Sequence, residues 1–239
     1  MTIALVGTLG GANTLNLSRS LSLTTTTAAT VGNLVVVAVA KDNGSATDGL
    51  NTTEEVSHIA DSAGNGWWKA AEYCNANAAP GAGAVVAVWA SMLGHAMPIG
   101  TIITATTDYV ASKAMGAAAF SLASMYEAYL AIAAGGSGTD GAALASLSSG
   151  VISTTADTLF FRAAALEGTR AAPTPTASWA TVMDYYATDM WLFAEFRIYS
   201  NNVGASAPAA GGAGNDTASL HCALRERLVS NQLFRGAPL

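Results

Sequence analysis

Apolar residues come in short runs along this chain, and the runs end at clusters of Gly, Asn, Asp and Pro, which is the pattern of strands separated by turns. The clearest run, "GNLVVVAVA" at residues 32–40, is almost continuously apolar and of strand length, and predicts a strand central to a sheet. After the polar loop "KDNGSATDGLNTTEE", the stretch "VSHIADSAGNGWWKAAEY" at 56–73 predicts two short strands joined by a turn at 63–66. Residues 83–93 ("GAVVAVWASML") and 98–107 ("PIGTIITATT") predict two more, the second from its β-branched density. "ASKAMGAAAFSLA" at 111–123 holds enough alanine for a helix on propensity. Met115 and Gly116 interrupt a helical face, and the segment has a counterpart later in the chain, so a strand is expected.

That counterpart belongs to a weak internal repeat of residues 24–123 and 148–228. "TTTTAATVGNLVVVAVA" parallels "SGVISTTADTLFFRAAALEG", and "GNGWWKAAEYCN" parallels "TASWATVMDYYAT". "AVVAVWASML" then parallels "DMWLFAEFRIYSNN", and "ASKAMGAAAFSLA" parallels "DTASLHCALRERL". The expected fold is all-β, a jelly-roll-like β-sandwich with two repeated halves. The halves could form one sandwich of two face-packed sheets or two stacked small domains. The connection "SMYEAYLAIAAGGSGTDGAALASLSSG" lacks a long polar linker, which favours a single domain over 24–239. Residues 1–23 are glycine-rich yet apolar, the composition of an N-terminal arm that packs on a neighbour.

Composition turns this outline toward assembly. Charged residues make up 11% of the chain and hydrophobic ones 51%, against roughly 25% charged in ordinary soluble domains. A surface of Ala, Gly, Ser, Thr and Asn is cheap to desolvate when another subunit packs on it. The net charge of -6, with basic residues scattered, argues against a nucleic-acid partner. No stretch resembles the roughly 20 apolar residues of a membrane span, and the short apolar run near the start lacks a basic segment ahead of it. Synthesis in the cytoplasm and no membrane partner are therefore expected.

Candidate chemistry is sparse. His58, His95 and His221 have no ligand-spaced partner and are expected at the surface or at strand ends, and no G-x-S-x-G elbow accompanies them. Among the carboxylates Glu54, Glu55, Asp184, Asp189 and Glu195, only Glu195 is a candidate for a sheet face, as glycoside hydrolysis would need. Its alternation with Arg197 is more simply a solvent-facing ion pair. "GGSGTDG" and "GGAGND" do not match a phosphate-binding loop, and "KDNGSATDG" and "DSAGN" lack the spaced acidic set of a calcium loop. Neither a catalytic residue nor a cofactor or metal is expected. Cys74 and Cys222 read as reduced, partly buried thiols, although a bridge between them stays open.

The tryptophans carry the remaining signal. Adjacent Trp67 and Trp68 in a strand must point to opposite faces. Trp67 has a repeat partner in Trp179 and is expected in the core, whereas Trp68 has none and is expected as a contact residue. Trp68 and Trp89, with Asp61 and Asn65 of the turn, are the candidate binding residues, for a subunit contact or a sugar ring. Asp61 and Ser62 are expected to bond the backbone ahead of them, with Gly64, Asn65 and Gly66 supplying positive φ.

In order along the chain, Asp61, Gly64, Asn65 and Trp67, then Gly100, Ile103 and Thr104, form a pattern D-x-x-G-N-x-W … G-x-x-I-T. It resembles that of bacteriophage virion β-sandwich proteins of the tail-fibre, appendage and head-decoration type. The resemblance covers residues 24–123, and the second half only through the repeat. It implies a jelly-roll-like fold, a homotrimer, other virion proteins of the capsid or tail as partners, location in the virion, and no catalytic residues. The collagen-like and coiled-coil repeats of a long fibre are absent from the sequence. The expected function is a non-enzymatic structural subunit, a short spike or capsid-decoration protein. The alternative is a module for host attachment that binds a surface glycan.

Overall fold

The run expected as a central strand is one, and it is buried on both faces. Leu34–Asp42 (β3) lies inside a six-stranded antiparallel sheet, and every side chain from Leu34 to Lys41 is buried. A strand can be apolar at consecutive positions only where both faces of its sheet are covered, so the run already signals an inner layer. The structure is a computed structural model. It describes residues 3–43, 49–50, 55–75, 83–122, 126–138, 147–152, 157–168, 178–187, 189–199, 203–207 and 217–228.

In the first half, β1 (Ala4–Thr14), β9 (Lys113–Ser121), β3, β7 (Ala84–Met92), β6 (Trp68–Asn75) and β4 (Gly49–Leu50) form the large sheet in that order. Strands β2 (Ser18–Thr24), β8 (Ile102–Val110) and β5 (Val56–Asp61) form a small sheet over its outer face. In the second half, β10 (Tyr126–Gly138), β16 (Thr217–Leu228), β12 (Thr158–Glu167), β14 (Met190–Tyr199) and β13 (Ala180–Ala187) form the other large sheet. Strands β11 (Leu147–Ile152) and β15 (Val203–Ala207) pair beside it.

The protein is therefore all-β, with open antiparallel sheets packed as a β-sandwich, and the repeat is written into the strand order. The sequence β1-β9-β3-β7-β6 recurs as β10-β16-β12-β14-β13, and the pair β2-β8 recurs as β11-β15. Irregularities recur too. A bulge between Lys69 and Ala71 of β6 matches one between Thr181 and Met183 of β13. Another, between Leu5 and Gly7 of β1, matches one between Leu130 and Ile132 of β10. Bulges at the same register in both halves are built-in features of the design rather than local defects.

The two large sheets meet face to face. Leu34, Val36, Ala38, Ala40 and Phe120 of the first half pack against Leu159, Phe161, Ala163, Ala165 and Phe196 of the second. Phe120 and Phe196 touch edge to face at 5.2 Å. A separate core fills the first half between its large and small sheets, around Leu21, Leu23, Val35, Val37, Ile59, Trp89, Ile103 and Met115. The broadest core belongs jointly to both halves, so they form one packing unit. Alanine is abundant because inner strands must accept a neighbouring sheet on each face. That demand overrides the helix propensity of 111–123, which forms β9 with Lys113 to Phe120 all buried.

Residues 1–23, expected as an arm, contain β1 and β2, which pair with β9 and β8 of the same chain. The connection expected after residue 123 contains β10, a strand of 13 residues paired along β16. Two glycines explain part of the join between the halves. Gly11 and Gly116 are cross-strand partners, and the Tyr185 ring lies over both, so closely that a Cβ on Gly11 would sit 2.1 Å from it. Thr8 and Asn13 of β1 add hydrogen bonds to the carbonyls of Val182 and Tyr186.

Candidate interaction surface

Three turns gather at one end of the first half, and they contain most of the residues singled out in the sequence. They are the β2–β3 turn (25–33), the β5–β6 turn (62–67) and the β7–β8 turn (93–101). Backbone bonds lace the first to the third, with Ala29 and Met97 exchanging N–H and C=O at 2.9 Å and the Gly32 N–H donating to Leu93. Gly32, Gly64 and Gly100 take φ of 85°, 82° and 93° at the tips and face open space, conformations that suit glycine.

Asp61 organises the middle turn. Its carboxylate accepts from the N–H of Ala63 (2.8 Å), the N–H of Asn65 (3.2 Å) and the Asn65 amide (3.2 Å). It also accepts from the Trp67 indole at 2.7 Å. Ser62, expected to bond the backbone just ahead of it, instead exchanges backbone and hydroxyl bonds with Ile102 at the start of β8. Gly64 has the expected positive φ, whereas Asn65 and Gly66 do not. Asn65 instead reaches across, its side-chain oxygen accepting from the His95 N–H at 2.8 Å. Asp61 and Asn65 thus spend their polar atoms on holding two turns together.

On this pinned frame stand aliphatic side chains with no core to enter. Val31 is 62% exposed, Ile99 69% and Ile102 47%. An open pocket of about 240 Å³ lies between Ser62–Ala63 and residues 98–101. Asp61 and His95 are the acidic and basic residues of these three turns and the strand ends beside them, and the oxygens of Asp61 are occupied. The surface is tied together by hydrogen bonds, poor in charge and apolar at its tips.

The two adjacent tryptophans do point to opposite faces. Trp67 packs half-buried on the first-half core, in keeping with its repeat partner Trp179, which is buried. Trp68 turns the other way and packs half-buried against the core shared by the two halves. Its destination was hidden in the sequence because it depends on where the second sheet lies. Trp89 is 7% exposed within the first-half core, with the Lys69 ammonium 5.4 Å from its ring centre. Of the four candidate binding residues, only Asp61 and Asn65 belong to the surface end, and they act there as framework.

Two buried polar clusters were not anticipated. In the second half Glu195, Arg162 and His221 are direct neighbours across β14, β12 and β16, all with no exposure. The Arg162 guanidinium donates to Glu195 at 3.3 Å. The expected Glu195–Arg197 surface pair is therefore corrected. Glu195 faces a covered side of its sheet and pairs with β12, while the Arg197 guanidinium stacks over Tyr199 at 4.5 Å. His221 is likewise corrected from a surface position. Both ring nitrogens lack a hydrogen-bond partner, and burial, with the Arg162 charge adding to it, lowers its pKa to about 4. His58 and His95 are exposed, as expected.

The other cluster closes the far end of the first-half core. Lys41 of β3, Glu55, Glu72 of β6 and Lys113 of β9 are buried there beside Asp108 of β8. Cys74 and Cys222 are both buried, and burial pushes the Cys222 thiol up to about 12. Among the described residues, no group of three or more His, Cys, Asp and Glu could hold a metal, and no helix is long and apolar enough to cross a membrane. Part of the "KDNGSATDG" stretch lies outside the described residues. Compared with protein-family models, curated proteins and solved structures, the chain finds no match.

Proposed function

We propose that this chain is a non-enzymatic structural subunit of a bacteriophage particle, a short spike or capsid-decoration protein that works by packing low-charge surfaces. The observation that carries the proposal is the three-turn end of the first half. Val31 and Ile99 project from turns locked by Asp61, Asn65 and the Ala29–Met97 bridge. A preorganised frame loses little entropy when a partner docks, and uncharged tips lose little hydration. Each aliphatic tip that becomes buried contributes roughly 1.5–3 kcal/mol. The surface is thus suited to a permanent neighbour, either another copy in a homotrimer or a particle protein.

Mass spectrometry and immunogold labelling of purified particles test this function, with the chain expected in stoichiometric amount on the particle. Its absence from particles made by cells that express it overturns the proposal. Light scattering on the purified protein tests the trimer separately. A glycan-binding role for host attachment would place a sugar ring on exposed aromatics, whereas Trp67, Trp68 and Trp89 are half-buried or buried. That placement favours the structural role.

A further inference from the structure

Lys41 ends the apolar run of β3 pointing into the first-half core, and its amine meets two carboxyl groups from the opposite sheet. Glu55 and Asp108 are brought side by side by the β5–β8 pairing, where the Asp108 N–H donates to the Glu55 carbonyl at 3.3 Å. The Lys41 amine donates a hydrogen bond to Glu55 Oε2. It also approaches Asp108 Oδ1 at 2.7 Å, an ion pair by distance but without hydrogen-bond angles, so that Oδ1 accepts no hydrogen bond. One carboxylate is therefore placed to take a proton from the amine, and the other stands beside it within reach of the amine nitrogen.

The surroundings fix these roles. Glu72 accepts the backbone N–H groups of Glu55 and Val56, both at 2.9 Å, and the Lys69 ammonium at 3.2 Å, which anchors the strand that carries Glu55. Lys113, the cross-strand partner of Lys41, donates instead to the carbonyls of Ser18 and Val110. Asp42 faces the other way and accepts from the Ser112 N–H at 3.3 Å. Lys41 is fully buried and Glu55 7% exposed, which limits water at the junction, while Asp108 is 31% exposed and gives a path outward. Burial raises the Asp108 carboxyl above its ordinary range, with Lys41 opposing and Glu55 adding to the rise. A protonated carboxyl is the form that can lose its oxygen as water.

We propose that Lys41 and Asp108 join in an intramolecular isopeptide bond, with Glu55 as the proton acceptor, covalently tying the large sheet of the first half to its small sheet. The Lys41 ammonium passes a proton to the Glu55 carboxylate, and the neutral amine attacks Cγ of the protonated Asp108 carboxyl. The new N–C bond forms as the Cγ–OH bond breaks. The hydroxyl leaves as water with a second amine proton, and the first stays on Glu55. One amide and one water replace an ammonium and a carboxylic acid, with no oxidant or co-reactant. An amide at this spot also removes a buried ion pair, whose desolvation is costly.

Mass spectrometry of the denatured full-length protein reads the outcome directly, with Lys41→Arg as the unlinked standard, since a guanidinium is not a nucleophile under these conditions. The expected result is a wild-type mass one water below that of its sequence, and after proteolysis a branched peptide joining Lys41 to Asp108. Asp108→Asn is expected to lose ammonia instead of water, because the carboxamide leaves a different group. Glu55→Gln is expected at full sequence mass. A wild-type chain of full mass, a branch at any residue other than Asp108, or a linked Glu55→Gln protein overturns the proposal. The wild-type measurement stands even if a variant fails to fold.

Discussion

The two halves share a strand order and two bulges, yet they treat the outer face of their large sheets differently. In the first half Val37 lies between Trp89 and Ala117, an apolar row. At the matching register of the second half Arg162 lies between Glu195 and His221. The first half confines its buried charge to the end of the core, at Lys41, Glu55, Glu72 and Lys113, where β12 has apolar Leu166 in place of Lys41. One scaffold thus tolerates an ionic row at its centre or at its rim, provided each buried charge has a partner. Strand pairing sets the scaffold, and the outer face is free to vary.

The largest effect should come from breaking the second-half row. Arg162→Ala leaves Glu195 buried without its guanidinium and is expected to lower stability by about 3–5 kcal/mol in urea unfolding. Replacing the pair with apolar residues, Arg162→Val with Glu195→Leu, is expected to recover most of that loss, since the first half folds with Val37 at the same place. No recovery would show that the ionic row is specific to the second half.

A pH series sharpens the same contrast. His221 titrates at about 4 in the folded protein, below its ordinary 6.5. The unfolded chain therefore binds a proton as pH falls through 6.5 while the folded chain does not until about 4. Stability is fully present above that window and declines across it, by about 3 kcal/mol at its lower end. His221→Ala copies Ala117 of the first half and is expected to remove this part of the decline. The check is the difference between the two proteins' urea midpoints at pH 7 and pH 4.5.

Smaller effects probe the join and the surface end. Gly116→Ala would place a Cβ 2.7 Å from the Tyr185 ring and 2.9 Å from Met183, and is expected to cost about 1–3 kcal/mol. Combined with Tyr185→Ala, it should cost less than the sum of the two changes. Asp61→Ala removes the acceptor of the Trp67 indole and of the turn amides, at about 2 kcal/mol, with a shift in tryptophan fluorescence. Val31→Ser with Ile99→Ser should change monomer stability by less than about 0.5 kcal/mol while weakening assembly on the particle. Unchanged assembly would remove the three-turn end as the docking surface.

Much of the architecture was legible in local pattern. The runs that become β3, β7 and β9, their counterparts β12, β14 and β16, and the Asp61 turn all follow from residues close in sequence. Other parts were not. β1 and β10 resemble an arm and a linker because sequences rich in glycine and alanine show little alternation of apolar and polar residues. At the site, Asp61 and Asn65 were found but their role was not, since the bond from His95 to Asn65 joins separate turns.

The sequence by itself determined that this protein is all-β and twofold repeated, because strand length, turn residues and apolar periodicity are local properties, and a repeated order of elements repeats the pairing. Only the tertiary structure decided that the halves pack through their large sheets, that Trp68 and Tyr185 serve that interface, and that Arg162 meets Glu195 and Lys41 meets Asp108. Those outcomes depend on which face of a sheet is covered and by what. Residues 33 or 67 positions apart become neighbours only after the sheets have formed and stacked.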